Sequence, residues 1–156
     1  MKLNYKDILE YQQNRDPYLM IDFVENLIPG KLAEGYKDLK SEWFFKVHWK
    51  NDPNMPGMLQ IESLVQMGAL TILSLPGNKG KIVYLISATD LVFKKKIVPG
   101  DRLTIKTKLL SFKRGIAQLS GEGHVFDKKA CSANFKLILP DQLSKFDIKK
   151  KFKINK

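Results

Sequence analysis

Pro56-Gly57-Met58-Leu59-Gln60-Ile61-Glu62-Ser63-Leu64-Val65-Gln66-Met67-Gly68-Ala69-Leu70-Thr71-Ile72-Leu73-Ser74-Leu75-Pro76-Gly77-Asn78 is the stretch on which the fold turns. From Met58 to Leu75 the apolar residues surround the helix axis instead of forming one stripe, so the helix they predict is enclosed on most sides. Pro56 suits the first turn, where its missing N–H leaves no bond unmade, and Asn54 is a candidate cap just before it. Pro76-Gly77-Asn78 stops the helix. Gln60, Glu62, Ser63 and Gln66 interrupt the run, and four polar groups are too costly in lipid for a membrane span. The segment therefore reads as a buried helix of a water-soluble domain.

Outward from this helix, the chain reads as strands. Leu103, Ile105, Thr107 and Leu109 alternate with Thr104, Lys106 and Lys108, the period-two pattern of a half-buried strand. Cys131, Ala133, Phe135, Leu137 and Leu139 alternate likewise with Ser132, Asn134 and Lys136. Ile116 to Phe126 lies between them as a strand weakened by Gly121 and Gly123, and Pro99-Gly100-Asp101 marks a tight turn. Upstream, Asp7 to Gln13 predicts a short helix, Tyr18 to Glu25 an apolar strand ended at Pro29-Gly30, and Lys31 to Lys40 another strand. The aromatic cluster Trp43-Phe44-Phe45 follows. One buried helix with a run of antiparallel strands wrapped on it is an α+β architecture.

With 156 residues, no internal repeat and no Pro/Gly/Ser-rich linker, the chain fits one domain. Its start lacks the apolar stretch of a secretory signal, and a single cysteine, Cys131, excludes an internal disulfide. Both features point to the cytoplasm. The formal charge is +11, of which Lys145 to Lys156, with six lysines and one aspartate, supplies +5. That tail reads as a solvated end, since no helix-turn-helix, zinc-finger or RNA-binding aromatic motif accompanies it. Neither nucleic acid nor a membrane is the expected partner. Lys94-Lys95-Lys96 and Lys113-Arg114 could steer an acidic protein.

Two side chains stand out for chemistry. Glu62 lies between Ile61 and Leu64 on an apolar helix, with Gln66 one turn later on the same face. A buried carboxylate without a partner is strongly penalised. Glu62 is therefore either paired with a lysine, set at a solvated interface, or a general acid kept protonated by its surroundings. His48 precedes a loop with two prolines, Pro53 and Pro56, and is either structural or the complementary base. His124 shares its strand phase with Ser120 and Glu122 and reads as a surface residue. Two distant histidines and one cysteine form no zinc-ligand cluster, and Gly77 and Gly80 make no phosphate loop, so neither metal nor cofactor is expected. Cys131 alternates with core positions and reads as an inert thiol.

The stretch Trp43-Phe44-Phe45-Lys46-Val47-His48-Trp49-Lys50-Asn51-Asp52-Pro53-Asn54-Met55-Pro56-Gly57 closely resembles the active-site segment of 3-hydroxyacyl-acyl carrier protein dehydratases. That pattern is an aromatic pair, a histidine, a proline five residues on, then Met-Pro-Gly opening the helix. The acid five residues after the glycine is Glu62 here, and the glutamine four later is Gln66. Arg15 to Asp22, Lys81 to Tyr84 and Phe93 to Asp101 extend the likeness over roughly Asp7 to Pro140. The aromatic flank and Asp52-Pro53 resemble the dehydratase–isomerase branch, whereas Glu62 and Phe93 to Asp101 resemble the chain-elongation branch. Val47, Trp49 and Lys50 depart from the family, which often has a small residue, a phenylalanine and a proline there.

The resemblance implies a hot-dog domain over 1–140, followed by a basic tail over 141–156. It implies a hydro-lyase that removes water from a 3-hydroxyacyl thioester borne on acyl carrier protein, with no cofactor. His48 and Glu62 would be catalytic, Gly57, Met58 and Gln66 substrate-binding, and Lys94 and Lys95 a docking patch for the acidic carrier or simply a solvated edge. Base and acid would come from different subunits of a homodimer, or of a higher assembly such as a trimer of dimers. A thioesterase on the same fold, or a noncatalytic acyl-thioester or carrier-binding module, is the alternative.

Overall fold

The protein is described by a computed structural model over residues 1–143. The basic tail expected over 141–156 therefore lies outside the described residues from 144 onward. The elements run α1 (Tyr5–Tyr11), β1 (Phe23–Ile28), β2 (Leu32–Asp38), α2 (Phe44–Val47), α3 (Gly57–Leu73), β3 (Tyr84–Phe93), β4 (Arg102–Lys113), β5 (Ile116–Val125), β6 (Lys128–Ile138) and α4 (Pro140–Leu143). The six strands form one antiparallel sheet in the order β1-β2-β4-β5-β6-β3. It wraps around α3, the α+β hot-dog arrangement that the sequence implied.

The helix is enclosed as its apolar surround requires, with thirteen of its 17 residues buried. It presses tightly against the sheet at Gly68. A Cβ there would stand 2.9 Å from Leu119 Cδ2 and 3.0 Å from the Phe135 ring, so a hydrogen is the side chain that fits. The alternating strands seat their apolar phase inward: Leu103 and Ile105 on β4 and Cys131, Ala133, Phe135 and Leu137 on β6 are buried. Burial drives the Cys131 thiol up to about 11, so it stays protonated and inert at neutral pH. No helix among the described residues is long and apolar enough to cross a membrane.

Several local expectations shift. Residues 19–21 are buried as an apolar strand would be, yet β1 begins at Phe23. Met20 N–H donates not to a strand but to the Gln66 side chain, at 2.8 Å, so this piece is tethered to α3 and stays outside the sheet. Asn54 does not cap α3. Pro56 holds the cap position, and Asn54 Nδ2 donates to the Asp52 carbonyl instead. Trp43-Phe44-Phe45 winds into α2, which buries Phe44 and Phe45 edge to face at 4.7 Å. The first helix starts earlier than Asp7, because Asn4 and Asp7 form a reciprocal capping box. His124 takes the outward phase of β5, but its side chain is mostly covered and its Nε2 lies 3.6 Å from Glu122 Oε1.

The tight seat at Gly68 generates a test. Gly68→Val is expected to destabilise the fold by about 1–3 kcal/mol through overpacking, seen as a lower urea midpoint at constant slope. An unchanged midpoint would mean that α3 is not pressed against Leu119 and Phe135.

Candidate active site

Gln66 organises the polar part of α3. Its side chain is buried, yet every polar atom of it is engaged. The Oε1 accepts from Met20 N–H, while Nε2 donates to the Tyr18 carbonyl at 2.9 Å and to Glu62 Oε1 at 2.9 Å. From α1's end, Gln12 Nε2 donates to the Gln66 carbonyl at 2.9 Å. With both amide N–H groups spent on protein acceptors, Gln66 works here as a positioning residue for Glu62. A further bond from substrate would have to displace one of these.

Glu62 sits one turn before Gln66 and is only partly exposed. Burial raises its carboxyl above the ordinary value of 4.5, and the Gln66 hydrogen bond only partly offsets this. Of the readings open from sequence, a lysine partner is not what the structure provides: among the described residues no cation pairs with Glu62. It opens on a cleft of about 270 Å³ whose walls include Val65, Ala69 and Leu73 of α3 and Val83 and Leu85 beside it. A carboxyl whose pKa is raised by burial therefore stands in a cleft with an apolar wall and a polar rim that includes Gln12, Gln13 and Lys81, where in its acid form it can give a proton to a departing oxygen.

His48 is set differently. It ends α2, its N–H bonded to the Phe44 carbonyl at 2.9 Å. Its Nδ1 lies 3.1 Å from the Asn54 carbonyl oxygen. A carbonyl only accepts, so Nδ1 carries a proton, and in the neutral ring Nε2 then holds the free lone pair. That is the tautomer of a general base. The loop that supplies this carbonyl is pinned at three points: Asn54 Nδ2 to Asp52 O, Asp52 to Lys96 at 2.7 Å, and Met55 N–H to the Ile97 carbonyl at 2.8 Å.

Gly57 opens α3 at the floor of a second cleft, whose walls include Asn54, Met55, Phe93, Lys94 and Lys95. A Cβ on Gly57 would stand 3.0 Å from the Phe93 ring, so glycine lets the helix end approach that wall. The first N–H groups of a helix have no intrahelical acceptor and carry its positive end, so those of Gly57 and Met58 suit a developing oxyanion. The Met58 side chain itself is 64% exposed and makes no wall of either cleft.

Within one chain, the sequence candidates thus divide into two groups. Glu62 and Gln66 line the first cleft, while Gly57, Lys94 and Lys95 line the second, with His48 held at its edge through Asn54. Sequence reasoning missed Gln12 and Asn54 as supports of the site. Neither carries a local signal, since Gln12 acts through a bond to the Gln66 carbonyl and Asn54 through its own carbonyl, which faces His48 Nδ1.

Comparison with known proteins agrees. Residues 13–134 match the FabA-like domain. The FabZ 3-hydroxyacyl-[acyl-carrier-protein] dehydratase of Clostridium novyi is 42% identical over 129 residues, 78% of this chain and 91% of that protein. The corresponding FabZ of Clostridium tetani is 37% identical over 86% of this chain and 95% of its own. Among solved structures, the dehydratase heterocomplex ApeI:P from Xenorhabdus doucetiae shares the fold, with TM-score 0.75 at 14% identity over 89% of this chain and 95% of that one. A hypothetical thioesterase from Streptococcus pneumoniae shares it too, at TM-score 0.57 and 15% identity, covering 74% and 86% of the two chains. The fold is common to both chemistries; the sequence match over most of the chain is what discriminates, and by it the protein belongs to the FabA-like family.

Proposed function

We propose that the protein is a 3-hydroxyacyl-acyl carrier protein dehydratase of fatty acid biosynthesis, a cytoplasmic hydro-lyase. What carries the reading is the setting of its two candidate groups, an imidazole whose Nδ1 faces the Asn54 carbonyl and a carboxyl whose pKa is raised by burial. His48 Nε2 takes the α-carbon proton of the thioester, and that C–H electron pair becomes the new C=C bond. The 3-hydroxyl leaves as water with the proton of Glu62. The thioester oxygen gathers negative charge meanwhile and is met by the Gly57 and Met58 N–H groups, each such donor being worth about 3 kcal/mol. The acyl tail then follows the apolar wall of Val65, Ala69 and Leu73.

The site is completed by a second copy of the chain. Glu62 opens on one cleft of the subunit and Asn54, which holds His48, on another, and β3 is an edge strand whose outer side lacks a neighbour among the described residues. Tyr84, Leu85, Ile86, Val92 and Phe93 of that strand are all at least 39% exposed, an apolar edge that a free monomer would leave prone to pairing. Pairing β3 with its copy about a twofold axis buries this edge and sets His48 of one subunit against Glu62 of the other. Val47, 70% exposed in the single chain, then borders the channel next to the base. Lys94 and Lys95 receive the acidic carrier; Lys96 is already matched by Asp52.

Three outcomes are expected. His48→Ala and Glu62→Gln each abolish dehydration of 3-hydroxyacyl carrier thioesters, followed by mass analysis, while leaving a folded dimer. Mixed with subunit exchange, the two dead variants recover about a quarter of wild-type activity, because half the dimers are mixed and each of those has one intact site. No recovery after proven exchange would rule out the shared site. Second, a carboxyl whose pKa is raised by folding contributes stability at low pH that is lost as the pH climbs through that raised value. Glu62→Gln should therefore gain stability relative to wild type at neutral pH and lose that advantage toward pH 4, which denaturation curves at both pH values will read. Third, charge reversal at Lys94 and Lys95 should raise KM for carrier-bound substrate far more than for a short thioester mimic; equal effects would place docking elsewhere.

A further inference from the structure

The hairpin joining β5 to β6 turns on two residues, Phe126 and Asp127, and both have positive φ, 49° and 59°. Two left-handed central residues define the tight turn that normally calls for Asn or Asp followed by Gly. The β4–β5 turn of the same sheet meets the demand in the usual way at its second position, with Arg114-Gly115. A bulky aromatic is among the poorest residues for the left-handed region, where Cβ crowds the backbone. The Phe126 side chain gains nothing in the core to offset this. At 81% exposure it is the most exposed large apolar side chain among the described residues.

Its surroundings give the exposed ring a context. Lys94 and Lys95 N–H both reach the Ala130 carbonyl, at 2.7 and 3.3 Å, tying the lysine segment to this hairpin. Lys95 Nζ stands over the Phe126 ring, 5.3 Å from its centre. Lys94 and Lys95 in turn wall the cleft that ends on Gly57. The carboxylates nearby are taken, Asp52 by Lys96 and Glu122 by Lys129, both at 2.7 Å, with Asp127 the exception. Among the described residues no carboxylate pairs with Lys94, Lys95 or Lys128. A strained, solvent-facing aromatic framed by unmatched ammonium groups at the rim of a substrate cleft is a surface shaped for a partner, with the ring as apolar anchor and the lysines as its charged rim.

We propose that Phe126 is the apolar anchor of a docking surface, completed by Lys94, Lys95 and Lys128, for an acidic protein that delivers the thioester into the Gly57 cleft. Resting on the dehydratase reading above, this assigns the partner surface of that same site to the β5–β6 turn as well as to the lysine segment. Apolar contact supplies what charge alone does not, a bond that salt does not screen. The left-handed backbone keeps the ring projected outward, the strain being retained for binding.

The test separates binding from stability. Phe126→Asn keeps a residue favoured by the turn and removes the ring. Wild type and variant are compared with one 3-hydroxyacyl group presented on acyl carrier protein and on N-acetylcysteamine, alongside thermal melts. Expected are a KM for the carrier substrate raised about tenfold, kcat/KM for the small thioester within about twofold, and a melting temperature higher by about 2 °C as the strain is relieved. A ring that is merely structural would move the melt downward and leave the carrier KM alone, which overturns the proposal. Equal losses on both substrates overturn it as well. Should wild type dehydrate the small thioester while the carrier KM ignores Phe126, the anchor falls and the dehydratase stands; should wild type dehydrate neither, both fall.

Discussion

The amide of Gln66 is the constraint on which the rest of the site depends. Buried in α3, it cannot turn to water, so each of its polar atoms needs a protein partner. Two of those partners come from far along the chain, Tyr18 and Met20 in the segment before β1, and the third, Glu62, lies one helical turn away. Gln12 adds a bond to the same residue's backbone. The N-terminal segment is thereby held against the helix, and the Glu62 carboxyl is fixed at the polar end of an apolar cleft. Removing one member would leave buried groups unpaired, so the network is held as a unit.

A second constraint, on the proposed dimer, is that one chain presents only half of the arrangement. α3 must be wrapped by the sheet to bury its apolar surround, and the sheet ends on β3 with an apolar edge left bare. The same packing that makes the helix a rigid support separates the His48 loop from the Glu62 cleft. On the shared site proposed above, a second copy against β3 would both cover the edge and complete the site.

Fold alone leaves the chemistry open, since a hypothetical thioesterase and a dehydratase complex both share it, at TM-scores 0.57 and 0.75. The discriminating features are small. One is the carbonyl of Asn54 that faces His48 Nδ1; another is the burial that raises the Glu62 carboxyl, with no salt bridge to it among the described residues. An imidazole held through Nδ1 and a carboxyl raised by burial suit the proposed removal of a proton and a hydroxyl from neighbouring carbons. Water activation for hydrolysis needs no such division.

Much of this was legible in the chain itself because it depends on short-range pattern. The all-round apolar character of α3 and the strict alternation in β4 and β6 are periodic signals, set by the geometry of one helix or strand, and their burial follows them. His48, Glu62 and Gln66 stood out because a polar group in apolar surroundings needs a reason. Other features were set by tertiary structure. Residues 19–21 have strand composition but lie outside the sheet because Gln66, distant in sequence, takes the Met20 N–H that a neighbouring strand would have bonded. Asn54 looks like a helix cap and instead holds the histidine, since its carbonyl, not its side chain, is what the fold brings near. Phe126 reads as the end of an ordinary strand until the positive φ of the turn and the lysine above its ring are known. Periodicity is a property of neighbours along the chain, whereas a hydrogen-bond partner, an edge or a strained turn is decided by which distant segments meet in space.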